Sequence, residues 1–198
     1  MNTSEPDLSG SLMLIRHGQT DWNKQHLMQG TSDIPLNDLG RQQAHETGNK
    51  LREQGLSFDV LVSSPLSRAF ETAQIIGEEL GLSVSRTYDD LIERAYGEAE
   101  GLDIPAEERK EPDAYYDGVE SERALYVRGV KILREITHDY PGQRVLAVSH
   151  GSLIRRVLSA AHGKEWATAV PNAEALDIPL PGLFDWVEER EPLLQGKK

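Results

Sequence analysis

Two segments of the chain share one design: a short apolar run leads directly into a histidine followed by a glycine. The first run covers residues 12–15 and leads into Arg16-His17-Gly18, and the second covers residues 144–148 and leads into Ser149-His150-Gly151. Runs of this length are typical of buried strands. Ligands of open α/β sheets bind at the carboxyl ends of the strands, so two neighbouring strands of this kind would bring both histidines to one site.

The rest of the chain alternates between strand-like and helix-like patterns. Apolar runs predict the remaining strands at residues 58–62, 82–86, 176–178 and 184–187. Periodicity and capping residues predict helices from Asn37 to Gln54, from Pro65 to about residue 80, over about 119–138, and after Gly151. This alternation predicts an α/β fold with a mostly parallel central sheet and helices on both faces.

The domain organisation is expected to be simple, since 198 residues fit one domain. Residues 1–10 are polar and are expected to form a loose tail ahead of a single domain over residues 11–198. Residues 97–118 are rich in glycine, proline and charge, which indicates a small cap inserted into that domain rather than part of its core. An exposed turn of helix is expected within this cap at residues 106–110.

Charge and composition exclude several classes of protein. The formal net charge of −12 argues against a nucleic-acid binder, which needs a basic face. It also repels anionic substrates at long range, so a phosphate site would need cations that converge locally. The chain has no cysteine, which excludes thiolate chemistry. The sequence shows neither a membrane-spanning apolar run nor a secretory start, so a cytoplasmic protein without membrane contact is expected.

A histidine at a strand end has several explanations. Most such histidines are ordinary polar loop residues, and one Arg-His-Gly triplet is too short to carry meaning by itself. Histidine is also the commonest metal ligand, but zinc needs a third ligand at suitable spacing, and no His-x-x-x-His or similar cluster is present. The sequence therefore predicts neither a metal site nor a bound cofactor.

Residues 14–23, Leu-Ile-Arg-His-Gly-Gln-Thr-x-Trp-Asn, resemble the signature of the histidine phosphatase superfamily, in its phosphoglycerate mutase-like branch. Four further blocks resemble segments of that family in the same order, at residues 29–44, 63–73, 91–101 and 148–151. Chance agreement of five ordered blocks is negligible. The resemblance implies the family's α/β fold and a metal-independent phosphoryl-transfer activity.

The resemblance implies a role for each of five side chains. His17 would attack phosphorus and form a phosphohistidine, which divides one difficult displacement into two easier ones. Arg16 and Arg68 would bind the phosphoryl oxygens through charge-assisted hydrogen bonds. His150, protonated in the complex, would stabilise the transferring group. Glu93 would protonate the leaving oxygen and then activate water.

Neutral donors are expected to complete the phosphate site. The resemblance implies that Asn23 and the backbone at Gly30 and Gly151 contact the phosphate, and Gln29 is the weakest member of this set. Glycine lets the backbone approach a ligand closely. A role as a cap or turn residue is the main alternative for Asn23.

Glu93 has two nearby competitors for the acid–base role, Glu98 and Glu100. We favour Glu93 because Leu-x-Glu-Arg-x-Tyr-Gly matches the register of the family. A carbonyl that accepts from the second ring nitrogen of His17 would fix its tautomer, but the sequence does not locate one.

The acceptor of the phosphoryl group separates two activities within the family: water in a phosphatase, and a sugar-acid hydroxyl in a mutase. Residues 93–97 resemble the corresponding segment of the mutases. The mutases also carry a larger insertion with a lysine and two adjacent arginines, whereas residues 97–118 are short and acidic and offer only Arg109 and Lys110. Gln19-Thr20 replaces the Glu-Ser pair usual in mutases. We therefore expect a phosphatase of small phosphate monoesters, with a phosphoglycerate mutase as the alternative.

A third reading is a non-catalytic, phosphate-binding regulatory module. It is less favoured because such a module would be expected to lack one of the key groups, and all five are present. The expected partner is a small phosphorylated metabolite. The oligomeric state is left open, with a dimer among the alternatives.

Overall fold

The computed structural model describes residues 7–185. Within them, five strands form one sheet: β1 (Ser11–Arg16), β2 (Val60–Ser63), β3 (Val84–Thr87), β4 (Arg144–Ser149) and β5 (Ala175–Ile178). Their order across the sheet is β3-β2-β4-β1-β5. The first four are parallel to one another, and β5 runs antiparallel beside β1. The predicted mostly parallel sheet is therefore confirmed.

Six α-helices accompany the sheet in the described part of the chain: α1 (Asp21–Lys24), α2 (Asp38–Glu53), α3 (Ser67–Leu80), α4 (Glu122–Asp139), α5 (Gly151–His162) and α6 (Leu180–Asp185). Helices α2 and α3 cover one face of the sheet, and α4, α5 and α6 cover the other. The fold is thus α/β with helices on both faces, as predicted.

Both faces of the central strands are buried, which explains why their sequences are continuously apolar rather than alternating. In β1, Leu12 and Leu14 pack under the α4–α6 layer, whereas Met13 and Ile15 pack under the α2–α3 layer. A strand with this pattern can only lie in the middle of a three-layer structure. Its last residue, and the histidine after it, must then emerge at the edge between the layers.

Helix termini follow the capping residues of the sequence closely. Asn37 caps α2, because its side-chain oxygen accepts from the Gly40 N–H at 2.9 Å. Helix α3 ends at Gly81, whose φ of +69° suits a residue without a side chain. Helix α4 begins at Glu122, three residues later than predicted, because Ser121 accepts from the Ala124 N–H at 3.1 Å and so defines the cap.

Two predictions for the ends of elements are wrong. Pro65 does not lie in the first turn of α3, since the helix begins at Ser67 after Leu66 as its N-cap. The strand predicted at residues 184–187 is also wrong, because Phe184 and Asp185 lie in α6. The apolar run was short enough to fit either element; buried residues three apart, Leu180 and Leu183, match a helix packed on α5. Residues 186 and 187 lie outside the described residues.

The ends of the predicted domain are described only in part. Residues 1–6 of the expected tail and residues 186–198 lie outside the described range. Between the tail and β1, the Asp7 carboxylate accepts from the Ser9 N–H at 2.9 Å. No helix within residues 7–185 is both long enough and apolar enough to cross a membrane.

Residues 97–118 form short turns, with 3-10 helices at Gly97–Ala99 and Pro112–Ala114. Hydrogen-bonded turns occupy residues 106–110, where a turn of helix was predicted. A small apolar cluster of Met28, Ala99 and Ile104 joins this segment to the loop after α1. We call residues 97–118 the cap, and its position beside that loop brings it next to the carboxyl end of β1.

Candidate active site

The register between β1 and β4 brings the two histidines together. Arg16 lies opposite Ser149, and the His17 N–H donates to the Ser149 carbonyl at 3.0 Å. The rings of His17 and His150 consequently lie 5.1 Å apart, centroid to centroid. The prediction that the two strand ends form one site is confirmed in its geometry.

The ring of His17 is held in a defined tautomer. Its Nδ1 lies 2.7 Å from the carbonyl oxygen of Gly18, so Nδ1 carries the proton and Nε2 has the free lone pair. Gly18 is itself fixed, since its N–H donates to Thr72 Oγ1 at 3.0 Å. This carbonyl supplies the acceptor that was expected on physical grounds.

The electrostatic surroundings keep His17 neutral. Burial, followed by the positive charges of Arg16 and Arg68, holds the pKa of His17 well below its usual value, and the hydrogen bond to Gly18 opposes this only in part. A neutral imidazole with an unprotonated Nε2 is the nucleophilic form. The same cations that would bind a phosphate therefore also keep the ring ready to attack.

Arg16 is partly buried and packs against the start of α5. Its Nη1 donates to the Val170 carbonyl at 2.6 Å, whereas its buried Nε has no hydrogen-bond partner. A Cβ at Gly151 would lie 3.2 Å from this Nε, so the glycine lets the guanidinium pack closely against the helix terminus. Burial lowers the pKa of Arg16, but an arginine remains charged at neutral pH.

Arg68 projects from the first turn of α3 and is completely buried. Its Nη1 donates to the Ser32 carbonyl and its Nη2 to the Gly30 carbonyl, both at 2.7 Å. When the side-chain amide of Gln29 is oriented with its oxygen toward Arg68, this oxygen accepts from Arg68 Nε and Nη1, each at 3.2 Å. Burial lowers the pKa of Arg68 to about 10, so the group is still a cation at neutral pH.

His150 lies at the N-terminus of α5 and is fully buried. Its Nε2 is 2.8 Å from Ser64 Oγ, and its buried Nδ1 has no partner. Burial, then the positive charge of Arg68, holds the pKa of His150 well below its usual value. The ring is thus neutral in the unliganded protein, and only a negatively charged ligand would favour the protonated form expected in a complex.

The carboxylate of Glu93 lies at the N-terminus of α5. Its Oε1 accepts from the backbone N–H groups of Ser152 at 3.1 Å, Leu153 at 3.2 Å and Arg94 at 2.9 Å. Helix N-termini stabilise negative charge, and here they fix the position of the carboxylate as well. Glu93 is therefore a rigidly held carboxylate at the wall of the site.

The predicted residues meet around a cavity of about 140 Å³. Those that line it are Arg16, His17, Asn23, Gln29, Gly30, Arg68 and Glu93. His150 and Gly151 do not line it; His150 packs against His17, and Gly151 packs against Arg16. The cavity is large enough for a phosphoryl group.

Asn23 has structural contacts as well as a place in the cavity wall. It forms a capping box with Thr20 at the start of α1, where its Oδ1 accepts from the Thr20 N–H at 3.2 Å. Asn172 also donates to this oxygen at 3.2 Å. The alternative interpretation of Asn23 as a cap residue is therefore correct for its oxygen.

Glu98 and Glu100 do not line the cavity. Glu98 is exposed, and the carboxylate of Glu100 accepts hydrogen bonds from Thr31 and Ser32 instead. Among the three glutamates, the geometry favours Glu93 for a role at the reacting centre.

Sequence reasoning missed several residues that shape the site. Tyr96 and Ser152 line the cavity, and their hydroxyls lie 2.7 Å apart. Burial, followed by the charge of Glu93, raises the pKa of Tyr96 to about 12, so it remains a neutral donor. Tyr96 lies inside the motif Leu-x-Glu-Arg-x-Tyr-Gly and Ser152 directly follows His150-Gly151, so both could have been found from the sequence. Asn172, which donates to the His17 carbonyl at 3.0 Å, has no sequence signal because it is distant in the chain.

A sequence profile described as histidine phosphatase superfamily (branch 1) matches residues 12–174. The chain therefore belongs to this superfamily. Within residues 7–185, no three histidine, aspartate or glutamate side chains are grouped as a metal site would require.

Relatives of the chain include both phosphatases and mutases. A Bacillus subtilis protein named uncharacterized phosphatase PhoE is 41% identical over 153 residues, covering 77% of this chain and 78% of the relative. A 2,3-bisphosphoglycerate-dependent phosphoglycerate mutase of Mesorhizobium japonicum is 33% identical over 191 residues, covering 87% and 91%. Membership of the family is thus clear, and both activities occur among the relatives.

Solved structures with the same fold include two phosphatases. A mycobacterial glucosyl-3-phosphoglycerate phosphatase, solved with VO3, superposes with a TM-score of 0.73 at 30% identity and covers 85% of this chain and 92% of its own. A phosphoserine phosphatase of Entamoeba histolytica, in complex with 3-phosphoglyceric acid, gives a TM-score of 0.71 at 27% identity, with 85% and 89% covered.

The two buried histidines should make folding stability depend on pH in a defined direction. Their pKa values are lowered in the folded state, so the unfolded chain binds more protons as the pH falls below about 6.5. The free energy of unfolding should be greatest above that pH and fall by up to about 1.4 kcal/mol per pH unit for each histidine below it. Urea denaturation between about pH 7.5 and about pH 5.5 measures this slope.

His17→Asn should reduce the slope, because one of the two depressed groups is removed. His138→Gln is the matched control, since the side chain of His138 is 88% exposed, and it should leave the slope unchanged. Equal slopes in the parent protein and His17→Asn would contradict the neutral, buried state of His17.

Proposed function

We propose that this protein is a phosphatase that hydrolyses small phosphate monoesters through a covalent phosphohistidine at His17, with Glu93 as general acid and base. The observation that carries the proposal is the state of His17: a neutral ring whose Nδ1–H donates to the Gly18 carbonyl, beside the partly buried Arg16 and the fully buried Arg68. This arrangement provides a nucleophile at Nε2 and positive charge for the phosphoryl group in one cavity.

The first step forms the phosphoenzyme. His17 Nε2 forms a bond to phosphorus while the bond from phosphorus to the ester oxygen breaks. Glu93, in its protonated form, gives its proton to the departing oxygen, so an alcohol leaves. Arg16 and Arg68 bind the equatorial oxygens, where negative charge is concentrated during transfer.

The second step releases phosphate. A water molecule attacks phosphorus, the bond to Nε2 breaks, and Glu93 takes a proton from the attacking water. Glu93 is then protonated again for the next turnover. His150 packs against His17 with its ring 5.1 Å away, and its positive charge would act on the transferring group from there once a bound phosphate dianion favours its protonated form.

The charges on the cap favour a phosphatase over a mutase. Arg109 is already engaged: its guanidinium donates to the carbonyls of Ile104 and His26 and pairs with Asp103 at 2.8 Å. Among the described residues that line the cavity, the arginines and lysines are Arg16 and Arg68 alone. A sugar-acid carboxylate would need a further cation there, so the site suits simple monoesters better.

The relatives support the class of substrate. The mycobacterial structure is that of a phosphatase of glucosyl-3-phosphoglycerate, and the Entamoeba structure is that of a phosphoserine phosphatase with 3-phosphoglyceric acid. The substrate in the first name and the ligand in the second are both small phosphate monoesters, and we extend only that feature to this chain, not the carboxylate that each compound also carries. Phosphoglycerate mutase activity is the second candidate, because mutases are among the relatives.

Replacing Glu93 by glutamine should reveal the proton transfer through its dependence on the leaving group. Glu93→Gln should slow single-turnover phosphoryl transfer from an alkyl phosphate by about 10²–10⁴-fold, because an alkoxide needs the proton. A 4-nitrophenyl phosphate should be affected much less, since its phenolate leaves unaided. Glu98→Gln, at an exposed position of the cap, should behave like the parent enzyme. Equal losses for both substrates in Glu93→Gln would rule out Glu93 as the proton donor.

A panel of phosphorylated metabolites distinguishes hydrolysis from isomerisation. We expect phosphate release from several monoesters, and release rather than isomerisation from 3-phosphoglycerate with or without a bisphosphate primer. A chelator should leave the rate unchanged, because the proposed mechanism has no step that requires a metal. Phosphorus NMR follows both products directly, and isomerisation without phosphate release would make the protein a mutase.

A further inference from the structure

The carboxylate of Glu100 accepts five hydrogen bonds, four of them from the loop after α1. Oε1 accepts from the Thr31 N–H at 2.9 Å, from Thr31 Oγ1 at 3.1 Å and from the Tyr96 N–H at 3.1 Å. Oε2 accepts from the Ser32 N–H at 2.8 Å and from Ser32 Oγ at 2.5 Å. A single side chain from the cap thus fixes two successive peptides of the loop after α1.

The same loop holds Arg68. The carbonyls of Gly30 and Ser32, which accept from the guanidinium at 2.7 Å, lie in the segment whose N–H groups Glu100 binds. Gly30 has a φ of +55°, and a Cβ there would lie 2.0 Å from Glu100 Oε1. The carboxylate is therefore packed directly against the turn that presents these carbonyls, and only glycine fits between them.

The charge of Glu100 is maintained in this position. Burial alone would raise its pKa, but the hydrogen bonds from Ser32, Thr31 and Tyr96 outweigh burial and lower it. The negative charge also supports the protonated state of Arg68, whose pKa burial would otherwise depress further. An ionised carboxylate is what the five donors require, because a protonated or amide group would turn a donor toward donors.

We propose that Glu100 is a positioning residue for the phosphate site: it fixes residues 30–32 so that their carbonyls orient Arg68, and it couples the cap to that arginine. The inference rests on the proposed function, since Arg68 is the group that would bind the transferring phosphoryl oxygens. Glu100 itself does not line the cavity and takes no part in proton transfer. Glu100 also accepts from the N–H of Tyr96, a residue that lines the cavity, so the same carboxylate contacts both the loop after α1 and the cavity wall.

Glu100→Gln tests this proposal with almost no change in volume. Its amide nitrogen must face the N–H and hydroxyl of Thr31 or of Ser32, so the loop should shift and Arg68 should lose its orientation. We expect kcat/KM for 4-nitrophenyl phosphate to fall about 10²-fold, as small misplacements of positioning groups do. The dissociation constant for orthovanadate should rise in parallel, because the anion is bound by Arg68. Glu98→Gln, from the exposed face of the cap, is the matched control and should keep both values.

The dependence on the leaving group separates positioning from proton transfer. Glu100→Gln should slow an alkyl phosphate and 4-nitrophenyl phosphate to the same extent, because Glu93 is intact; a loss confined to the alkyl phosphate would make Glu100 a proton carrier, and the proposal would be wrong. Unchanged kcat/KM and vanadate affinity in Glu100→Gln would also overturn it.

A second variant covers the case in which Glu100→Gln does not fold. Thr31→Val with Ser32→Ala removes the two hydroxyl donors but keeps both backbone donors, so it should fold and show a smaller weakening of vanadate binding. Unchanged binding in that variant would overturn the proposal. Vanadate binding needs no turnover, so it is independent of whether His17 forms a phosphoenzyme: a parent enzyme without that intermediate would defeat the proposed function, and not the role of Glu100.

Discussion

The structure depends on a concentration of buried positive charge at the carboxyl ends of β1 and β4. Arg16 and Arg68 lie there in a chain whose net charge is −12, next to two buried histidines. Burying a charge without a counter-charge costs several kcal/mol, so the fold must stabilise these groups in another way. It does so with peptide carbonyls: Val170 for Arg16, and Gly30 and Ser32 for Arg68.

The partners of the site arginines differ from those of Arg94, a buried arginine outside the site. Arg94 is about as deeply buried as Arg68, but Glu122 at 2.6 Å and Asp113 at 3.2 Å neutralise it. Within residues 7–185, neither Arg16 nor Arg68 forms such an ion pair, so their charge remains available to an anion. Burial and this positive charge, which no direct ion pair cancels, lower the pKa values of His17 and His150, and the charge explains how an acidic protein can still attract a phosphate over short distances.

The fold and the main site residues could be predicted because their signals are local. An apolar run followed by Arg-His-Gly identifies a strand, its end and two functional groups within a few positions. The hydroxyl of Ser64 and the side chain of Asn172 could not be predicted, since only folding brings them to the histidines. Gly18 is adjacent to His17, but the sequence does not show that its carbonyl is the acceptor for Nδ1. The strand predicted at 184–187 failed for a related reason: four residues are too few to distinguish strand periodicity from a helical turn.

The role of Glu100 illustrates the limit of motif reasoning most clearly. In the sequence it competes with Glu93 for the same role, and both lie in one short segment. The structure separates them by their donors: Glu93 accepts from the end of α5 at the cavity wall, whereas Glu100 accepts from the loop that orients Arg68. Spacing along the chain carries no information about which backbone a carboxylate will meet.

The central claim is that His17 carries the phosphoryl group, and trapping the intermediate tests it most directly. Rapid quenching of the enzyme with a radiolabelled phosphate monoester should give a phosphoenzyme that is stable in base and labile in acid, with the label on the peptide containing His17. His17→Ala should give no adduct and no turnover. An acid-stable adduct, or undiminished hydrolysis by His17→Ala, would contradict the account.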